Sequence, residues 1–201
     1  MSIPPTRWFR MAQSWHLIAA ALKTRAANGR PQAIRIIGVA TGQEAYSLAM
    51  ILEHLEIPGH ILATDINPEL IDYASAAVYT DEHVREAMTA GVLGPVEVLN
   101  FFANLASNVW TVTPPVRSRV TFGVADAGSD PLETCDMALA RNVWTYIGAR
   151  GRAHLLAELR SAIPAGGIVA TGGSDFSTHD SPHDALPGFT YAGAAGLYVR
   201  D

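Results

Sequence analysis

Residues 33–55 read AIRIIGVATGQEAYSLAMILEHL: a β-branched run gives way within a few positions to Gly38, Ala40, Thr41 and Gly42, and a helical pattern follows at once. A buried strand, a turn of small residues and a helix form the first half of a crossover unit, which commits the chain to a parallel sheet if the alternation continues. It does continue. HILATDI reads as a strand, PELIDYASAAV as a helix with Pro68 in its first turn, RVTFGVAD and CDMALAR as strands, ARGRAHLLAELRSAI as a helix with Leu155, Leu156, Leu159 and Ile163 on one face, and GGIVATGG as a strand. Ahead of the first strand, Trp15, Ile18, Ala19 and Leu22 recur at helical spacing and the pattern stops at Gly29, an amphipathic helix with a glycine cap. FTYAGAAGLYVRD at the C-terminus reads as a hairpin.

The alternation breaks at about residues 81–119, which hold a helix and then NFFANLASNVWTVTPPVRSR, where Pro114 and Pro115 exclude a central strand. This stretch is expected to be an inserted loop or small ribbon within one domain spanning residues 1–201. With 201 residues and a hydrophobic content of 49%, the chain can bury a core of ordinary size. A formal charge of -5 argues against nucleic-acid binding by bulk electrostatics. The single cysteine, Cys135, supports neither a disulfide framework nor a cysteine zinc site, and suits a small buried hydrophobe in its strand. No stretch approaches the ~20 apolar residues of a membrane span, and the N-terminus has no apolar signal region, so a cytoplasmic protein is expected.

In an open parallel sheet, ligands bind beyond the carboxyl ends of the strands. Here the first strand's exit, GVATGQE, lacks the G-x-G-x-x-G spacing that rests a pyrophosphate on a helix N-terminus. It is followed by Glu44 at the start of the helix and by Asp65 at the end of the next strand, near the ~20-residue spacing of an acid that accepts ribose hydroxyls. The plainer reading is that Gly38 and Gly42 allow close packing, that Asp65 caps the next helix, and that Glu44 answers the helix dipole. Both readings stand on these residues alone. If the acids bind a ligand, it is a nucleoside carrying an amino acid and no phosphates, which describes S-adenosyl-L-methionine.

The order and spacing of several blocks resemble the CheR family of chemotaxis receptor methyltransferases. Their signatures run F-F-R, S-T-G-E-E-P-Y-S, A-T-D-I, R-N-V-x-I-Y-F and G-G-x-x-x-x-G-H-S-E. The present chain has WFR at Trp8 to Arg10, ATGQEAYS at Ala40 to Ser47, ATDI at Ala63 to Ile66, RNVWTYI at Arg141 to Ile147 and GGIVATGGSD at Gly166 to Asp175. The resemblance implies an α/β, Rossmann-like class I methyltransferase: a mostly parallel seven-stranded sheet, helices on both faces and a C-terminal antiparallel hairpin. It implies S-adenosyl-L-methionine as cofactor, with Gly38, Ala40, Thr41 and Ile66 around it, Glu44 on the amino group and Asp65 on the ribose. Asp126 takes the place of an asparagine facing the adenine, Asn142 and Val143 line the methionine end, and Arg10 and Tyr146 border the reactive methyl.

Departures from the family pattern are Gln43 and Ala45 in the turn, Gly173 in place of histidine, and YIGARGR in place of Y-F-D. Family members also carry an N-terminal helical domain that faces the receptor, and this sequence begins at the linker after it. The expected acceptor is therefore a carboxylate on a small molecule or peptide, ahead of a chemoreceptor glutamate. A non-methylating use of the cofactor and a cofactor-binding regulator are further alternatives. Asn142 equally suits a helix cap, and Trp8 and Trp144 suit either the cavity wall or the core. The histidines show no metal spacing; His179 and His183, beside Asp180 and Asp184, are expected in a solvated loop, with a divalent-ion site and a base for a hydroxyl or amine acceptor as the alternatives.

Overall fold

The computed structural model describes residues 6–173, 175–176, 185–192 and 196–201. In chain order the elements are α1 (Ala12–Arg25), β1 (Gln32–Ile37), α2 (Gln43–His54), β2 (Gly59–Asp65), α3 (Pro68–Ala76), β3 (Val78–Tyr79), α4 (Asp81–Thr89), α5 (Pro95–Leu99) and β4 (Phe102–Ala106). They continue as β5 (Val109–Val112), α6 (Pro114–Arg117), β6 (Val120–Val124), β7 (Met137–Ala140), α7 (Ala149–Ala162), β8 (Ile168–Thr171), β9 (Phe189–Tyr191) and β10 (Leu197–Arg200). The main sheet has seven strands in the order β6-β2-β1-β7-β8-β10-β9. Neighbours from β6 to β8 are parallel, and β10 pairs antiparallel with both β8 and β9.

The period-2 alternation along the strands assigns each side chain to one of two cores. Ile34 and Ile36 of β1, Met137 and Leu139 of β7, and Ile168 of β8 pack with Ile18 and Leu22 of α1 and with the apolar face of α2. Ala138, Ala140 and Val169 face the other way, onto Leu155, Leu159 and Ile163. α1 and α2 thus cover one face of the sheet and α7 the other.

The inserted segment begins earlier than its sequence pattern indicates. Val78 and Tyr79 pair with β5, which pairs with β4, so a three-stranded antiparallel sheet is built from residues on both sides of α4. A two-residue strand carries no periodicity, which is why it is invisible beforehand. Pro114 and Pro115 open α6, where a missing N–H costs nothing. This small sheet shares the main core through Tyr79, Phe102 and Val112.

The N-terminal strap, residues 6–11, is fixed to the same core. The Trp8 ring lies 5.0 Å from Tyr79 and 5.1 Å from Phe102, edge-on to both, and the Phe9 ring lies 5.9 Å from Trp15. The Phe9 N–H donates to the Ser47 hydroxyl at 3.0 Å. These anchors hold Phe9 and Met11 in the left-handed region, at φ 46° and 61°, where a non-glycine residue costs about 1–2 kcal/mol. Trp8 is therefore a core residue and not a cavity wall. Trp144, 3% exposed and packed 5.5 Å from the Phe176 ring, is another.

Among the described residues no helix is long and apolar enough to cross a membrane. Cys135 is buried, and that burial pushes its thiol up to about 12. Because only the thiolate attacks an alkylating agent, iodoacetamide at pH 8 should label Cys135 in the native protein roughly a hundredfold more slowly than in denaturant, as read by mass spectrometry. Equal rates would show that the segment ahead of β7, where the Cys135 N–H donates to the Ala162 carbonyl of α7, opens readily.

Candidate functional site

At the carboxyl ends of β1, β2, β6 and β7 the connecting turns enclose a cavity of about 780 Å³, within the ~300–1,000 Å³ range of small-molecule sites. The turn after β1 forms its floor. The Gly38 and Val39 N–H groups both donate to the Thr64 carbonyl, at 2.8 and 2.9 Å, which folds the chain back across β2. Gly38 (φ 74°), Ala40 (φ 50°) and Gly42 (φ 92°) are left-handed. A Cβ at Gly42 would stand 2.9 Å from the Ala74 Cβ, so that glycine is required by packing against α3. Gly38 has a different duty: it lines the cavity, and a Cβ there would crowd Val143 Cγ2 at 3.3 Å.

Asp65 joins this turn to the next. Its Oδ2 accepts from the Ala40 N–H at 2.9 Å and its Oδ1 from the Asn67 N–H at 3.0 Å. The cap of α3 is Asn67, which accepts from the Glu69 N–H at 2.9 Å, so the capping alternative for Asp65 fails. Ile66, 66% exposed, follows at the cavity rim. Asp126 lines the far side, with Oδ1 accepting from the Gly128 N–H at 2.8 Å and Oδ2 from the Ser129 hydroxyl at 3.1 Å.

Arg10, Gly38, Ala40, Glu44, Asp65, Ile66, Asp126, Asn142, Val143 and Tyr146 all border the one cavity. Thr41 does not. It is 3% exposed, and its hydroxyl donates inward to Gln43 Oε1 at 2.7 Å while its carbonyl accepts from the Tyr79 hydroxyl at 2.9 Å. The left-handed turn on either side of Thr41 rotates its side chain into the core. Asn142 is not a helix cap either: it is left-handed (φ 61°), and α7 starts later, with Gly148 as its cap. Tyr146 stands in the turn ahead of that helix, 74% exposed. His179 and His183 lie outside the described residues.

The residue missed from sequence is Arg141. Its side chain is only 2% exposed, and its Nη1 donates to Glu44 Oε1 at 2.6 Å. Nη2 donates to the Arg10 carbonyl at 2.7 Å, and the guanidinium carbon stands 5.2 Å from the Trp15 ring centroid. Trp15 Nε1 donates to the same Arg10 carbonyl at 2.9 Å. Glu44 therefore already holds one cation, and that cation also fastens the strap that carries Arg10 into the cavity. An arginine closing an apolar strand such as MALA is the available signal, since a buried guanidinium needs an acid.

Removing one partner of a buried pair leaves the other charge uncompensated, at about 3–5 kcal/mol. Arg141→Met should lower unfolding stability by about 3 kcal/mol in urea titrations, and adding Glu44→Gln should return part of that loss. Equal stability of Arg141→Met and wild type would contradict the pairing.

The cavity's chemistry fits a nucleoside with an amino-acid tail. Among the described residues, the strand-end acid Asp65 accepts one backbone N–H on each oxygen and Glu44 accepts from Arg141 through Oε1, and both carboxylates border the cavity. Residues 5–186 match the family model described as "CheR methyltransferase, SAM binding domain". The chain is 30% identical over 224 residues to an uncharacterized 104.1 kDa protein of Rhodobacter capsulatus, covering 99% of this chain and 23% of that protein. It is 28% identical over 210 residues to chemotaxis protein methyltransferase 1 of Pseudomonas aeruginosa, covering 95% of this chain and 74% of that one. The CurJ carbon methyltransferase shares the fold, with a TM-score of 0.50 at 17% identity over 80% of this chain and 33% of that chain. The turn, the strand-end acid and the match over most of the sequence lead to one assignment: this chain belongs to the CheR methyltransferase family, as its S-adenosylmethionine-binding domain.

Proposed function

We propose that the protein transfers the methyl group of S-adenosylmethionine to a carboxylate oxygen of a peptide or small-molecule acceptor. The observation that carries this reading is the meeting of Asp65, Glu44, Arg10 and Tyr146 around one cavity. When bound, S-adenosylmethionine supplies an electrophilic methyl on a sulfonium. In the proposed arrangement Asp65 accepts the ribose hydroxyls, Glu44 the amino group, and Asn142 and Val143 flank the methionine end.

A carboxylate of pKa about 4 is ionised at pH 7 and needs no base to become a nucleophile. It needs alignment, because displacement at a methyl is in-line and positioning supplies most of the rate. Arg10 presents a planar fork suited to a carboxylate, at the mouth where Tyr146 offers a hydroxyl and a ring face. The lining acids suit this division of labour better than they suit general-base work. Glu44 is held by Arg141, Asp65 by two backbone N–H groups, and Asp126 by Gly128 and Ser129. A hydroxyl or amine acceptor would have to find its base elsewhere. A glutamate side chain on a chemotaxis receptor is the second reading, favoured by the name of the Pseudomonas relative.

Incubation with S-adenosylmethionine and a panel of carboxylate peptides and small acids should yield S-adenosylhomocysteine together with an equal amount of base-labile methyl ester. S-adenosylhomocysteine accompanied by a base-stable methyl product would refute the ester reading. Asp65→Ala should weaken S-adenosylhomocysteine binding in calorimetry by about 3 kcal/mol, roughly a hundredfold. Arg10→Ala should leave that affinity within about threefold and depress transfer by about a hundredfold. The reverse pattern would move Arg10 from the acceptor to the cofactor.

A further inference from the structure

Asp175 is a buried acid that does not line the cavity. It is 4% exposed, and its Oδ2 accepts from the Asn142 N–H at 2.7 Å and also from the Gly172 N–H. Burial raises its carboxyl above the usual carboxylate range, the backbone N–H groups of Asn142, Gly172 and Trp144 offset part of that rise, and nearby Glu44 adds to it. Nothing in the proposed chemistry uses this group, yet burying a carboxylate is costly unless its hydrogen bonds do something that a neutral residue cannot.

What the carboxylate grips is the root of the turn at residues 142–146. Asn142 is held left-handed there, at φ 61°. Gly172 interlocks with it: a Cβ on Gly172 would stand 2.7 Å from Asn142 Nδ2 and 2.8 Å from its backbone nitrogen. The next residue after the acid, Phe176, packs its ring 5.5 Å from that of Trp144, whose Nε1 donates to the Ala140 carbonyl at 2.9 Å. The turn is therefore clasped twice by consecutive residues, through its backbone by Asp175 and through a ring by Phe176. It then closes on the Tyr146 N–H, which donates to the Val143 carbonyl at 3.0 Å, and delivers Tyr146 to the cavity mouth.

We propose that Asp175 is a positioning residue whose buried carboxylate, bonded to the Asn142 and Gly172 N–H groups, sets where Tyr146 stands at the cavity mouth. The geometric part is independent of turnover; the consequence for transfer rests on the function proposed above. An exposed side chain on a turn has many rotamers and backbone states available, and a two-point clasp at its root narrows the backbone states without touching the ring. An asparagine at 175 has the same volume and one oxygen for the same donors, but it lacks the charge that strengthens each bond. A glutamate keeps the charge on an arm one methylene longer.

The test uses the full chain with S-adenosylhomocysteine, labelled with 3-fluorotyrosine at its 6 tyrosines, the Tyr146 fluorine signal being assigned by its loss in Tyr146→Phe. In Asp175→Asn the Tyr146 signal should shift or broaden while the other tyrosine signals hold, and Asp175→Glu should bring it back toward the wild-type position. Amide exchange over residues 142–147 should quicken by about tenfold or more in Asp175→Asn, with residues 61–66 unchanged. A Tyr146 signal and 142–147 exchange identical to wild type would overturn the proposal, as would equal disturbance of all the tyrosines. In case Asp175→Asn does not fold, the wild-type protein decides: the Asn142 amide should exchange about tenfold or more slowly than an unbonded loop amide, and an unprotected Asn142 would overturn the clasp. These readouts require no methyl acceptor, so failure to find an ester product leaves them standing.

Discussion

The Asp65 carboxylate takes the Ala40 N–H on one oxygen and the Asn67 N–H on the other, and the architecture of the site follows from that bracket. Hydrogen bonds to a charged acceptor are worth about 1.5–3 kcal/mol each, enough to offset the left-handed strain at Ala40 (φ 50°). The bracket locks the turn after β1 to the turn after β2, the two segments between which a ligand beyond a parallel sheet must sit. It also leaves the acid facing the cavity with acceptor capacity to spare. The same residue thus stabilises the geometry of both turns and presents the group proposed to hold the ribose.

A second set of charges organises the other half of the cavity. Arg141 directly follows a strand whose residues are all buried, and it spans from Glu44 on α2 to the Arg10 carbonyl on the N-terminal strap. One guanidinium therefore ties the first helix after the turn to the segment that brings Arg10 to the mouth. The strap has little regular structure of its own; Trp8 and Phe9, each 2% exposed, bury it immediately ahead of Arg10. The residues proposed to face cofactor and acceptor come from segments far apart in sequence, joined through a few buried polar contacts rather than through continuous secondary structure.

The fold was legible because the two cores write themselves into the strands as a period of two and into the helices as a period near 3.6. Residues such as Ile34, Ile36, Leu155 and Leu159 carry that signal locally. The antiparallel strands β9 and β10 stand where the terminal sequence indicated them. What escaped was non-local. Val78 and Tyr79 form a strand only because β5 lies beside them, and Thr41 turns inward because of the backbone sign on either side of it. Asn142 suited a helix cap by residue type, yet its left-handed φ and its bond to Asp175 place it in an interlocked turn. Arg141 and Asp175 both stood in recognised sequence blocks, but their partners are 97 and 33 residues away. No spacing rule reaches that far.

A crystal structure of the protein with S-adenosylhomocysteine tests the central claim most directly. The account predicts the ribose hydroxyls on Asp65, the amino group at Glu44 with Arg141 still paired to it, and the sulfur directed toward Arg10 and Tyr146. A nucleoside bound elsewhere, or one in this cavity with Asp65 still turned wholly to the backbone and no ribose contact, would contradict it.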